Sequence, residues 1–356
     1  MDMSAEQELL VSRHGSLGII VLNRPKVLNS LSLAMVREME KALDGFEAEP
    51  AVRAILMIGA GDRAFCAGGD IRALYDAGKA GDSLPETFWR EEYLLDERIS
   101  RFPKPVIAVM NGITMGGGVG LAAHASHRIV IERTKFAMPE AGIGFFPDVG
   151  ASWLLTRTPG EFGTYIALTG VNCGPAETIR AGIADCFVPE ADLEALKAAL
   201  ASLPENADAA AVTDTVRRFA RDAAPTVESA ALAVIDGCLA HDRMEEIVAA
   251  LSAEGSDFAL KTRDLLLGKS PTSLKVTLDL YRQGRRAASL RECLEREFAV
   301  TAGMIAGHDF YEGVRAAIID KDRNPQWSPR TLDGVTAADV SAYFIPRHRP
   351  LFNPAG

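Results

Sequence analysis

A chain of 356 residues that is 48% hydrophobic and 24% charged has the composition of a soluble globular protein, long enough for one large or two modest domains. Its net charge of −10 argues against nucleic acid as a partner, and no run of about twenty apolar residues could span a bilayer. Five scattered cysteines with no CxxC pair, and an acidic N-terminus (MDMSAEQELL) unlike a presequence, predict reduced thiols and a cytoplasmic enzyme.

Leu17 to Leu22 is a short β-branched run ended by Asn-Arg-Pro, which predicts a strand and then a turn. Leu31 to Phe46 has helical periodicity, with Ser30 or Ser32 as N-cap. Val52 to Ile58 reads as a buried strand running into Gly59-Ala60-Gly61. Ser83-Leu84-Pro85 opens a helix with Phe88, Glu92, Leu95 and Ile99 on one face. An acid such as Glu92 in an apolar stripe needs a partner or a ligand, and an arginine would also serve. Val106 to Met110 and Arg128 to Ile131 are further apolar runs. Strands alternating with helices indicate an α/β fold with function at the strand ends. Beyond Pro189 the chain turns alanine- and leucine-rich, and Ala191 to Ala240, Asp257 to Leu267 and Leu290 to Ala306 read as helices.

Two glycine-rich turns stand about fifty residues apart: FCAGGDIRAL from Phe65 to Leu74, and NGITMGGGVGL from Asn111 to Leu121. Glycine lets a backbone approach a ligand closely and point N–H groups at it, so two such turns can serve one developing oxyanion. Tight structural turns would explain the same glycines. A third segment, MPEAGIGFFPDVG from Met138 to Gly150, carries Glu140 and Asp148. Phe136, Met138, Phe145 and Phe146 surround Glu140 in sequence, which predicts partial desolvation and a raised pKa. The alternative for Glu140 is an ordinary loop carboxylate, and for Asp148 the N-cap of a helix through Trp153 and Leu155.

These three segments, with RPKVLNSLS (Arg24 to Ser32), SPTSLK (Ser270 to Lys275) and GHDFYEGVRAAIIDKDRNPQW (Gly307 to Trp327), resemble the crotonase (enoyl-CoA hydratase/isomerase) superfamily. Within it they are similar to the branch that hydrolyses 3-hydroxyisobutyryl-CoA in valine degradation. The resemblance implies a β-β-α spiral core in residues 1–190, carrying the CoA site and oxyanion hole. A helical region, residues 191–356, would cover that site. It implies oxyanion-hole N–H groups at Gly69 and Gly117, catalytic roles for Glu140 and Asp148, and a substrate-contacting Glu92. Gly120 departs from the hydratase pattern, in which the matching position carries a second catalytic glutamate. That departure disfavours syn hydration.

The net negative charge would repel an anionic acyl-CoA, so a local cation is needed, and Lys26 is the candidate for the nucleotide phosphates. No metal or redox cofactor is expected, since coenzyme A is part of the substrate. The partner expected is that small-molecule substrate, with no nucleic acid and no membrane, and a homo-oligomer is left open. A hydratase or isomerase of the same superfamily and a non-catalytic acyl-CoA-binding protein remain as alternatives. Competing motifs are weaker. Gly59-Ala60-Gly61-Asp62-Arg63-Ala64 fits GxGxxA, but Cys66-Ala67-Gly68-Gly69 interrupts the helix a dinucleotide site requires. His124 and His127 lack a third metal ligand nearby. Cys66 reads as a packed thiol, and His308 and Asp309 as anchors of a C-terminal helix.

Overall fold

The computed structural model describes residues 7–224 and 229–352. Strands β1 (Leu9–His14) and β2 (Leu17–Leu22) lead through α1 (Leu33–Ala48) to β3 (Ala54–Gly59) and β4 (Ala64–Cys66). Helices α2 (Ile71–Lys79) and α3 (Leu84–Ser100) precede β5 (Val106–Met110) and β6 (Ile113–Met115). Helix α4 (Gly117–Ala123) precedes β7 (His127–Val130) and β8 (Lys135–Ala137). There follow α5 (Ala151–Leu154), α6 (Phe162–Thr169), α7 (Pro175–Arg180), β9 (Cys186–Phe187), α8 (Leu193–Ala201) and α9 (Ala209–Phe219). The chain continues with α10 (Ser229–Leu239), α11 (Met244–Glu254), α12 (Asp257–Leu267), α13 (Pro271–Gly284), α14 (Leu290–Ile305), α15 (His308–Val314) and α16 (Ala337–Tyr343).

Two compact units divide the chain. One takes in the described residues of Met1–Gly69, Leu95–Phe136 and Cys173–Ala224, and the other those of Asp70–Leu94, Ala137–Asn172 and Pro225–Gly356. The units are interleaved in sequence, so they are a different division from the change in composition near residue 190. Helices α8 and α9, which follow that change, belong to the first unit.

The first unit is a repeated β-β-α winding. Three times the chain lays one strand in a large sheet and the next in a small one: β3 then β4, β5 then β6, β7 then β8. The result is a six-stranded sheet ordered β1-β2-β3-β5-β7-β9 and a three-stranded sheet ordered β4-β6-β8. Apart from the antiparallel β1–β2 pair, neighbours in the large sheet are parallel, with Leu17 opposite Ala54, Ile55 opposite Val106 and Ala108 opposite Arg128. A parallel sheet covered on both faces needs continuous apolar strands, and β5 (VIAVM) is buried along its whole length. One face carries Leu17, Leu56, Ile107, Val109 and Ile129 against Leu196, Leu200, Val212 and Val216 of α8 and α9.

The second unit is mainly helical. Trp89 of α3 stacks on Phe145 at 5.2 Å, and Phe145 lies 5.7 Å from Phe310 of α15. Helix α13 runs through this unit with Leu274, Val276, Leu278, Leu280 and Tyr281 buried. The SPTSLK stretch is its start: the Ser270 hydroxyl accepts from the Ser273 N–H at 3.0 Å and donates to Asp309 at 2.6 Å.

Strands β2 and β5 and helix α12 fall where the sequence predicts them. Strand β1 is not foreseen, because five of its six residues face solvent and leave no apolar alternation. The Rossmann-like turn after β3 leads to another strand, β4, rather than to a helix. The alternative role of Asp148, as an N-cap, is not found. Gly150, at φ 80°, caps α5, and the Asp148 side chain points elsewhere.

Helix α1 is capped by Ser32, whose hydroxyl accepts the Met35 N–H at 3.1 Å. Ser32→Ala should cost about 1 kcal/mol of stability, read as a lower urea midpoint with an unchanged slope. An unchanged midpoint would remove the cap from the account.

Candidate active site

In the first unit the two glycine turns stand against each other. Gly68, at φ +104°, is so placed that a Cβ there would lie 3.4 Å from the Met115 carbonyl and 3.8 Å from the Gly117 nitrogen. The Leu31 N–H donates to the Gly68 carbonyl at 2.8 Å and holds the first turn. Gly116, at φ 48° and ψ −127°, turns the chain into α4, whose first residue is Gly117. The N–H groups of a first helical turn have no acceptor within their helix. A Cβ at Gly118 would sit 2.2 Å from the Cys66 carbonyl, so α4 can press on β4 only through glycine.

Gly120 lies one turn further along α4. The space a side chain would take there is filled by the carboxylate of Asp96 on α3, with Oδ2 2.6 Å and Oδ1 2.7 Å from the Cβ position. No side chain fits at residue 120 without displacing that buried acid. Lys26 is exposed on the 3-10 turn Pro25–Val27, also in the first unit.

The second unit holds Glu140, Asp148 and Glu92. Glu140 opens the 3-10 turn Glu140–Ile143, which ends at Gly144 with φ 71°. The residue is buried, and its Oε2 has no hydrogen-bond partner among the described residues. Burial raises its pKa well above the carboxylate range, the Asp148 charge adds to this, and Lys269 opposes it. The Lys269 ammonium lies 3.2 Å from where a Cβ of Gly142 would be, against the same 3-10 turn. Glu92 is buried on α3 with Phe88, Leu95 and Ile99, the face that the spacing describes.

Asp148 is buried, and the Tyr93 hydroxyl donates to its Oδ2 at 2.7 Å. The same hydroxyl meets Thr301 Oγ1 of α14 at 3.0 Å, and the Thr301 hydroxyl donates to the Glu297 carbonyl at 3.0 Å. Two hydroxyl protons thus serve three contacts, and all three are filled only when Asp148 itself carries a proton. Burial pushes the Asp148 carboxyl up to about 7, against the hydrogen bond from Tyr93, so that protonated form is accessible near neutrality. Glu297, one helical turn before Thr301, is fully buried, and burial pushes it up to about 8. Tyr281 of α13 is buried as well, with no hydrogen-bond partner for its hydroxyl among the described residues.

Sequence reading missed Tyr93, Thr301, Glu297, Lys269 and Tyr281. Tyr93 directly follows Glu92 and could have been taken with it, but it sits off the apolar stripe that drew attention to Glu92. The other four lie on elements far along the chain, and nothing in their own spacing marks them. Elsewhere, His127 is held by Ser126 and Thr213 at 3.0 and 2.9 Å, and no group of three His, Cys, Asp or Glu side chains suited to a metal occurs among the described residues.

The pKa values have a consequence for stability. Asp148 and Glu297 titrate near 7 and 8, above the unfolded carboxylate range of about 4. Between those limits the folded chain keeps protons at these two sites that the unfolded chain has released, so their contribution to stability falls as pH rises from about 4 to about 8. Asp148→Asn removes one such group. The unfolding free energy of the variant should therefore gain on that of the wild type as pH is raised through this window, measured by urea unfolding at its two ends. A difference that does not change with pH would show that Asp148 is not raised.

The sequence profile of the enoyl-CoA hydratase/isomerase family matches residues 17–344. The chain is 43% identical over 348 residues to "3-hydroxyisobutyryl-CoA hydrolase, mitochondrial" of Danio rerio, covering 97% of this chain and 91% of that protein. It is 41% identical over 345 residues to the Homo sapiens protein of the same name, covering 96% and 89%. A solved structure described as a carnitinyl-CoA dehydratase from Mycobacterium thermoresistibile matches with a TM-score of 0.91 at 40% identity, covering 97% of this chain and 98% of that one. An enoyl-CoA hydratase from Rhodobacter sphaeroides 2.4.1 matches with a TM-score of 0.86 at 41% identity, covering 96% and 98%. The expectation of a cytoplasmic enzyme is overturned, because the vertebrate relatives are named mitochondrial. Unpaired, scattered cysteines report a reducing environment and do not distinguish one such compartment from another. No helix among the described residues is long and apolar enough to cross a membrane. The β-β-α winding, the paired glycine turns and a profile match from the second strand to the last helix place this chain in the enoyl-CoA hydratase/isomerase (crotonase) family.

Proposed function

We propose that this chain is an acyl-CoA thioester hydrolase that converts 3-hydroxyisobutyryl-CoA and water to 3-hydroxyisobutyrate and coenzyme A. The observation that carries the reading is the distribution of carboxylates. Glu140 is buried with one oxygen unpartnered among the described residues, Asp148 is a second buried acid beside the Tyr93 hydroxyl, and residue 120 has no side chain, its space being taken by the Asp96 carboxylate. The names of the curated relatives support the substrate.

In the proposed reaction the thioester carbonyl accepts hydrogen bonds from the N–H groups of Gly69 and Gly117, which stabilise its developing negative charge. The ionised Glu140 attacks the carbonyl carbon, the C–S bond breaks, and coenzyme A leaves as the thiolate to give a mixed anhydride. Water then attacks the anhydride, releasing the acid and restoring Glu140. Asp148 and Glu92 hold the 3-hydroxyl and the water. A protonated Asp148 can supply the proton that the departing thiolate takes up. Lys26, exposed and cationic, is assigned to the nucleotide phosphates. Water and carboxylates supply every atom and proton, so the scheme calls for no metal or redox cofactor.

A second reading, hydration or dehydration of an acyl-CoA, is favoured by the descriptions of the two solved structures at 40% and 41% identity. A panel assay separates the two. Free thiol should appear with 3-hydroxyisobutyryl-CoA much faster than with acetyl-CoA, with the products identified by mass. Efficient hydration of crotonyl-CoA with no thioester cleaved would reverse the assignment.

Glu140→Gln keeps the shape of the side chain and removes its charge. Turnover should fall at least ~10²-fold with KM little changed. Single turnover in ¹⁸O-water then tests the anhydride: water attacking it at the Glu140 carbonyl leaves enzyme oxygen in the first product and solvent oxygen in Glu140. Solvent oxygen in the first product fits direct attack of water, with Glu140 as general base, and equally water attacking the acyl carbonyl of the anhydride; a Glu140 hydroxamate formed with hydroxylamine identifies the anhydride. Near-normal turnover in the variant would remove Glu140 from the chemistry.

A further inference from the structure

Beyond Asp148 the chain makes a turn that its own sequence disfavours. Val149 has φ 53° and Gly150 φ 80°, two successive left-handed residues, and the first is β-branched. A β-branched residue resists that region strongly, so the surroundings must hold it there. The holding group is on α14. Glu297 accepts from the Gly150 N–H at 2.7 Å, the Ser152 N–H at 3.0 Å and the Ser152 hydroxyl at 2.5 Å. The carboxylate is wholly buried, and without it these three donors would be left without an acceptor. One helical turn later the same helix presents Thr301 to the Tyr93 hydroxyl that touches Asp148.

We propose that Glu297 is a positioning residue for the hydrolysis: with Thr301 it makes α14 a two-point clamp that fixes the Asp148 carboxylate. Glu297 fixes the backbone just past Asp148, and Thr301 fixes the hydroxyl at its oxygen. This rests on the proposed role of Asp148. Glu297 touches no reacting atom, and its effect passes through Asp148 alone. A carboxylate that merely capped the four-residue α5 would act on folding and would be indifferent to the identity of residue 148.

The test is a double-variant cycle on thiol release from 3-hydroxyisobutyryl-CoA. Glu297→Gln keeps the volume but sets an amide against one of the three donors. Its kcat should fall by about 10- to 100-fold with KM nearly constant, as for a catalytic group displaced by a fraction of an ångström to an ångström. Added to Asp148→Asn, the same substitution should lower kcat by less than about 2-fold further, because the group it positions is already gone. A full multiplicative loss in the double variant overturns the clamp and leaves the assignment of Asp148 standing. Near-normal turnover in Asp148→Asn alone overturns that assignment, and the clamp with it. Should Glu297→Gln fail to fold, Ser152→Ala removes only one of the three contacts. It should lower kcat by about 3-fold at constant KM and likewise lose that effect beside Asp148→Asn, whereas an unchanged kcat overturns the clamp.

Discussion

Moving a carboxylate out of water costs several kcal/mol unless other donors replace the lost hydration. The second unit buries Glu140, Asp148 and Glu297 together, and most of what is distinctive in it answers that cost. Glu297 is compensated by three donors, two of them backbone N–H groups. Asp148 is compensated by the Tyr93 hydroxyl, a backbone hydrogen bond and the Trp89 side chain, and burial still raises it to about 7. Glu140 is left with an oxygen that has no hydrogen-bond partner among the described residues, and with Lys269 as the charge opposing its burial. Of the three acids, the one left with an unmet oxygen is the one assigned to chemistry. A group held uncompensated in the resting protein gains most when a substrate or water arrives.

Val149 extends the same logic to the backbone. Its left-handed conformation stores about 1–3 kcal/mol of strain. That strain is tolerated because Glu297 holds the next residues at three points, so one buried acid both needs the turn's donors and imposes its shape. The first unit solves a different problem, close approach. Glycine at 118 lets α4 touch β4, and glycine at 120 leaves room for Asp96. The absence of a side chain at 120 is therefore built into the packing of α3 on α4, since a side chain there would displace the Asp96 carboxylate.

The glycines, the two acids of the MPEAGIGFFPDVG segment, the buried face of α3 and the apolar strands β2, β3, β5 and β7 could all be read from the chain. Each is local: a periodicity, a turn residue or an acid among aromatics. The short strands β4, β6 and β8 could not, since three residues are too few to show a period. Nor could the exposed β1. Asp148 illustrates the limit. Its position ahead of Trp153 suggests a cap, yet Gly150 takes that place and the side chain turns to Tyr93, 55 residues earlier.

What the sequence determined by itself was the family and the two acids of the MPEAGIGFFPDVG segment, because these depend on residue order over a few turns of chain. Tertiary structure alone decided which charges those acids carry and what holds them. Glu297 reaches Gly150 across 147 residues, and Lys269 meets the Glu140 turn from the loop before α13. Burial and hydrogen-bond partners set a carboxyl's pKa, and both are properties of the packed fold that no local pattern of residues encodes.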